Sequence, residues 1–297
     1  MAAGLGPGCV GTDGAGGVRV PAAFTGVFGL KPSFGRVPAW PLSLFGTVSH
    51  VGPMTRTVED AALMLNVISE PDSRDWFALP CDTRDYRDGL NSGVAGMRMA
   101  FSPTLGGAKV DPEVAEIVRR AVGVFEELGA DVEEIEPDLG DVHAIFRVHW
   151  WAGATRVVRS IPPEKRELMD QDLMRIAEGG EAITLADYLG AVESRGALGT
   201  ALTQFHARYP VLLTPTLPIA AFDAGRLAPL DYGDVGGDWT AWAPFSYPFN
   251  LSRQPAASVP CGGGLPVGLQ IVGPMHDDRL VLRVARAFET ARPGQAE

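Results

Sequence analysis

The stretch from residue 96 to 137 restricts the fold more than any other part of the chain. "GMRMAFS" reads as a strand, "DPEVAEIVRRAVGVFEELG" as a helix, and "ADVEEIEP" as a second strand. The helix carries its own punctuation. Asp111 is placed to cap it, Pro112 suits its first turn, Val114, Ile117, Val118, Ala121, Phe125 and Leu128 form one apolar stripe, and Gly129 ends it. Strand, helix and strand in that order imply a right-handed βαβ unit with a parallel sheet.

The remaining segments extend this pattern. "TVEDAALMLNVIS" opens with Thr57 and Asp60 at capping-box spacing and sets Val58, Ala61, Ala62, Leu65 and Ile68 on one face. From Thr184 a long helix is predicted to deliver the chain to "PVLLTPTLP", a short apolar run that fits a buried strand. A Gly- and Asp-rich loop follows, then "AASVP" and "VGLQIVG" as strands and "DDRLVLRVARAFETA" as a closing helix. Residues 143–183 read as helical and irregular in turn, residues 73–93 as a polar surface connection, and "GVFGLKPSFGRVP" and "FGTVSHVGPMTRT" as strands and loops. This order predicts an α/β fold with helices packed on a central sheet.

Charge and composition exclude several function classes. The 297 residues carry a formal net charge of −11, which opposes any general affinity for nucleic acid or anionic lipid. No apolar run approaches the roughly 20 residues of a membrane helix, and the start lacks the blocks of a signal peptide, so a cytoplasmic setting is expected. Cys9, Cys81 and Cys261 are odd in number, far apart and without a CxxC, a pattern of small core residues. His50, His143, His149, His206 and His276 lack the spacing of a zinc hydrolase. Gly6, Gly8 and Gly11 formally match GxGxxG, yet only five residues precede them, too few for the strand a dinucleotide site requires. The acidic run at 131–138 reads as a solvated strand edge, and Trp150 and Trp151 as core or pocket lining.

"VGTDGAGGVRVPAAF", residues 10–24, reads as a glycine-rich loop around one aspartate and one arginine. With the residues that follow, "GTDGAGGVRVPAAFTGVFGLKPSFGRVP" resembles the signature segment of the amidase signature family. "HVGPMTRTVEDAALML", "LLTPTLP", "PFNLSRQPAASVP" and "GLPVGLQIVG" resemble further family segments in family order, so the resemblance covers nearly the whole chain. It implies a three-layer α/β/α fold with a mixed central sheet, of which this chain, 1–297 as a single incomplete domain, represents the carboxy-terminal portion. It also implies C–N hydrolysis of carboxylic amides through an acyl-serine, with no metal or organic cofactor and a small-molecule amide as partner.

Carried over by position, Gly11, Thr12 and Asp13 fall on the family's opening triplet, and the nucleophilic serine falls on Gly17. The backbone N–H groups of Gly14, Ala15, Gly16 and Gly17 fall on the family's oxyanion hole. Thr12, Asp13 and Arg19 are expected to support the loop, and Ala15, where the family has glycine, is expected to strain it if that position needs positive φ. Thr12 and Ser33 are the nearest hydroxyls to the vacant position; Ser246, Tyr247 and Asn250 resemble a segment near the substrate pocket. The family's catalytic lysine and cis-serine belong to a segment upstream of this one, so the expectation is a truncated homologue that has lost its triad. Two further readings stand beside it: a non-catalytic binding or scaffold protein, and a mis-started gene model of a longer amidase. Loss of upstream cover predicts self-association through exposed sheet edges.

Overall fold

The protein is described by a computed structural model at residues 1–226, 228, 229, 239–262 and 264–292. The chain begins with β1 (Gly8–Asp13), α1 (Arg19–Thr25), β2 (Phe28–Lys31), β3 (His50–Thr55) and α2 (Val58–Ile68). β4 (Arg98–Phe101), α3 (Pro112–Glu127) and β5 (Asp131–Glu134) form the unit read from the sequence. Then come α4 (Val142–Ser160), α5 (Gln171–Gly180), α6 (Leu185–His206) and β6 (Val211–Pro215). The described chain closes with α7 (Pro248–Leu251), β7 (Ala256–Pro260), β8 (Gly268–Val272) and α8 (Asp278–Ala291). Much of the Gly- and Asp-rich loop before β7 lies outside the described residues.

The helices begin where their side chains can satisfy free backbone N–H groups. Asp111 accepts from Glu113 N–H and Thr57 from Asp60 N–H, and Thr184 with Asp187 forms a full capping box. β4 and β5 pair in parallel, with Arg98 opposite Asp131, and β4 also pairs in parallel with β6. The other pairings are antiparallel, giving a mixed sheet in the order β1-β3-β2-β7-β8-β6-β4-β5.

Alternation along the central strands sorts residues into two cores. Met99, Phe101, Val211, Leu213, Ala257 and Ile271 pack with α2, α3 and α8 on one face. Their neighbours Ala100, Leu212, Ala256 and Val272 pack with α4, α6 and α7 on the other. Successive strand residues point to opposite faces, so the sheet is the middle of three layers. This explains why β6 and β8 are buried at every position.

Residues 10–24 depart from the loop expectation. Cys9 to Asp13 lie within β1, which pairs residue by residue with β3 from Gly8–Thr55 to Asp13–His50. Pro21 lies inside the first turn of α1, where its missing N–H would have had no helical partner. Gly8 and Gly11 belong to this strand. Cys9 and Cys81 are exposed, correcting the expectation of core cysteines; Cys261 is buried.

Candidate active-site turn

β1 ends on Asp13, and the chain turns through residues 14–18 into α1, whose first residue is Arg19. Both charged side chains are completely buried, and they pair at 2.9 Å. Asp13 Oδ1 also accepts the N–H of Gly16 at 2.8 Å, while Oδ2 accepts those of Val18 and Arg19 at 3.3 and 3.4 Å. One carboxylate thus organises the turn by taking three backbone donors. Burial raises its pKa, but the Arg19 charge and hydrogen bonds outweigh burial and hold it well below the ordinary carboxylate range.

Arg19 spends every donor of its guanidinium. Nε and Nη2 bond Asp13, Nη2 also bonds Asn250 Oδ1 at 2.6 Å, and Nη1 bonds Ser246 O at 2.8 Å and Gln270 Oε1 at 2.9 Å. The planar fork therefore ties the turn to α7, to the segment before it and to β8, contacts more than 200 residues away in sequence. Asn250 Nδ2 donates to Asp13 O at 2.7 Å and Val48 O at 3.1 Å, and Ser246 Oγ donates to Ala15 O at 2.6 Å. The "FSYPFNLSRQPA" segment meets the turn directly.

The donors of the turn divide into two groups. Gly16 N–H is engaged by Asp13, whereas among the described residues nothing in the chain accepts from the N–H groups of Gly14, Ala15 or Gly17. Ala15 has no positive φ, so the anticipated strain is absent; Gly16 carries the unusual conformation at φ 118°. At Gly17 an added Cβ would lie 2.4 Å from Thr12 O, and at Gly14 it would lie 3.1 Å from the Trp150 ring. Trp150 stacks on Phe45 with centroids 4.2 Å apart, walling this side of the turn.

Thr12 is exposed on β1, and Ser33 Oγ accepts from His276 N–H at 3.0 Å, so neither hydroxyl is bonded into the turn. The hydroxyl that reaches the turn is Ser246.

Two buried groups carry little signal in the sequence. Lys31, the last residue of β2, is completely buried and donates to Gln254 O and, at 3.4 Å, to Pro32 O. Burial, and then the Arg19 charge, push its ammonium well below the usual lysine range. His50, opposite Asp13 in the strand pairing, bonds Val48 O through Nδ1 at 2.9 Å. A lysine inside "VFGLKP" is the available signal; periodicity alone does not report which strand end faces a charged neighbour.

A buried Asp–Arg pair thus directs a glycine turn between a strand and a helix of a mixed three-layer α/β fold. The chain belongs to the amidase family, whose model matches residues 1–282. It is 38% identical to an acylamidase of Rhodococcus erythropolis, the match covering 99% of this chain and 63% of that protein. It is 34% identical to an amidase of Pseudomonas putida, over 95% of this chain and 62% of that one. Among solved structures, a bacterial aryl acylamidase of the amidase signature family superposes with TM-score 0.88 at 30% identity, covering 98% of this chain and 64% of that chain. The chain thus spans a little under two thirds of the length of the relatives it matches. Among the described residues no helix is long and apolar enough to cross a membrane.

Proposed function

We propose that this chain is an amidase-family domain that receives the carbonyl oxygen of a small carboxamide at the 14–17 turn and does not cleave the amide. The observation that carries the reading is Gly17. It occupies the position of the family's nucleophilic serine, and its backbone leaves no room for a Cβ. Acyl transfer through an acyl-enzyme needs a side-chain oxygen there and a base to take its proton. Glycine provides neither oxygen nor proton. Lys31 bonds backbone carbonyls of Pro32 and Gln254.

What the turn offers is donors. The N–H groups of Gly14, Ala15 and Gly17 are open to an incoming oxygen, in a turn preorganised by Asp13 and Arg19. Binding without turnover is therefore the function this geometry supports best. A cytoplasmic setting belongs to the same reading, supported by the free, exposed thiols Cys9 and Cys81.

The test is ammonia release from a panel of primary amides by the purified chain, run beside amide titrations followed by backbone amide NMR. Expected is no turnover, with saturable shifts at Gly14, Ala15 and Gly17. Amide hydrolysis by the unmodified chain overturns the proposal, as does an absence of shifts across the panel.

A further inference from the structure

We propose that the cavity bounded by α3, α8 and the chain just after β7 is an anion site that takes the phosphate group of a small molecule. It holds about 230 Å³, and Arg120, Gly262 and Arg292 supply its polar groups. That space is several times the roughly 30 Å³ of one water and below the roughly 300–1,000 Å³ of sites for drug-sized ligands, so its occupant is compact.

The two arginines reach the cavity from different elements. Arg120 lies in α3, and its contact with Glu116 is a loose 3.8 Å between two exposed side chains, a pairing that holds a guanidinium weakly. Arg292 follows the last residue of α8, and its guanidinium has no hydrogen-bond or ion-pair partner among the described residues. Glu289, one turn back on α8, is taken up by Arg286 at 2.7 Å and by the Val58 N–H at 2.8 Å. The Gly262 N–H has no acceptor among the described residues either. Ala121, Cys261 and Phe288 complete the lining from the buried core. Burial pushes the Cys261 thiol up to about 12, so that part of the wall stays uncharged.

Charge and geometry select the ligand. Two guanidiniums keep their charge at every working pH and present planar forks that match phosphate oxygens in pairs. A phosphate monoester carries about −1.5 to −2 at pH 7 and so balances both arginines, which a single carboxylate does not. The chain as a whole carries −11 and repels anions at long range, so capture here rests on the local pair of arginines. Ala121, Cys261 and Phe288 belong to the core of the α2, α3 and α8 face, whereas Ala15 of the 14–17 turn packs with the opposite core. The two sites therefore lie on different faces of the sheet.

Inorganic phosphate is the probe, titrated into the full chain by calorimetry and followed at the backbone amide of Gly262 by NMR. Saturable binding with a shift at Gly262 is expected. Arg120→Gln and Arg292→Gln are each expected to weaken it at least tenfold while the amide spectrum of the rest of the fold is retained. Arg84→Gln, at an exposed arginine of the 73–93 connection, is expected to leave it unchanged. Acetate is expected to bind at least tenfold more weakly than phosphate. Glycerol phosphate separates the sources: binding tighter than phosphate assigns the site to a phosphorylated small molecule, and equal binding assigns it to free phosphate. The proposal fails if phosphate does not bind saturably, if either Arg120→Gln or Arg292→Gln binds it as tightly as the parent, or if Arg84→Gln weakens it equally, the mark of diffuse charge attraction. Because the signal comes from Gly262 and not from turnover or from Gly14, Ala15 and Gly17, it stands or falls separately from the proposal for the turn.

Discussion

Replacing Gly17 is the perturbation whose consequence the structure fixes most tightly. A Cβ at this position lies 2.4 Å from Thr12 O, well inside the contact distance that real side chains keep, and the obstacle is backbone. Thr12 pairs with Val51 in the β1–β3 ladder, and the next residue, Asp13, binds Arg19. Neither can retreat without loosening a hydrogen bond or the buried ion pair. Overpacking of this kind costs about 1–3 kcal/mol. For a domain of this size about 2 kcal/mol lowers Tm by roughly 4–8 °C. Gly17→Ala and Gly17→Ser are both expected to show this loss in thermal melts followed by circular dichroism. Gly196→Ala is the control, because a Cβ there meets nothing within 4 Å on α6, and alanine gains about 1 kcal/mol of helix propensity. A Gly17→Ser variant that melts at or above the parent temperature would refute the steric argument, and one that releases ammonia from amides would refute the argument that position 17 has no base to take a serine proton. The expected serine variant is less stable and still inactive.

Three other outcomes follow from the same structure. Asn250→Ala removes the donor to Asp13 O and Val48 O and the acceptor for Arg19 Nη2, and is expected to cost about 3 kcal/mol in urea unfolding; a loss under about 1 kcal/mol contradicts the network. Burial lowers the pKa of His149 and of His206 to about 4, so between roughly pH 6.5 and 4 the unfolded chain binds more protons and stability falls as pH drops; His206→Asn is expected to flatten part of that fall, and an unchanged slope of urea midpoint against pH argues against it. β1 is an edge strand whose Val10 is 48% exposed, while the other edge, β5, is guarded by Asp131, Glu133 and Glu134; Val10→Lys is therefore expected to reduce concentration-dependent association in light scattering, and an unaltered mass at every concentration counts against edge pairing.

Most elements of the sheet and its helices are legible because their signals are local. The cap at Asp111, the stripe from Val114 to Leu128 and the stop at Gly129 lie within 19 residues, and α3 follows them. The capping box at Thr184 and the apolar run of β6 are equally local. β1 and α1 are hard to read because glycine, proline and other small residues dominate their composition. β1 is held by its full ladder with β3, and α1 buries Ala22 and Ala23 against the sheet, stabilisation that no local propensity reports. Cys9 departs from the core expectation for the same reason: it lies on an edge strand, and strand order is not written in local sequence.

By itself, the sequence determined the α/β class, the resemblance to the amidase family and the absence of a side chain at Gly17. Those are matters of residue identity, spacing and period. Only the tertiary structure decided that Asp13 takes the Gly16 N–H, that Arg19 is completed by Ser246, Asn250 and Gln270, and that Thr12 O closes over Gly17. It alone brought Arg120 and Arg292 to one cavity. The reason is physical: hydrogen-bond satisfaction and excluded volume depend on which distant groups the fold brings within a few ångströms, and the partners of Arg19 lie more than 200 residues away along the chain.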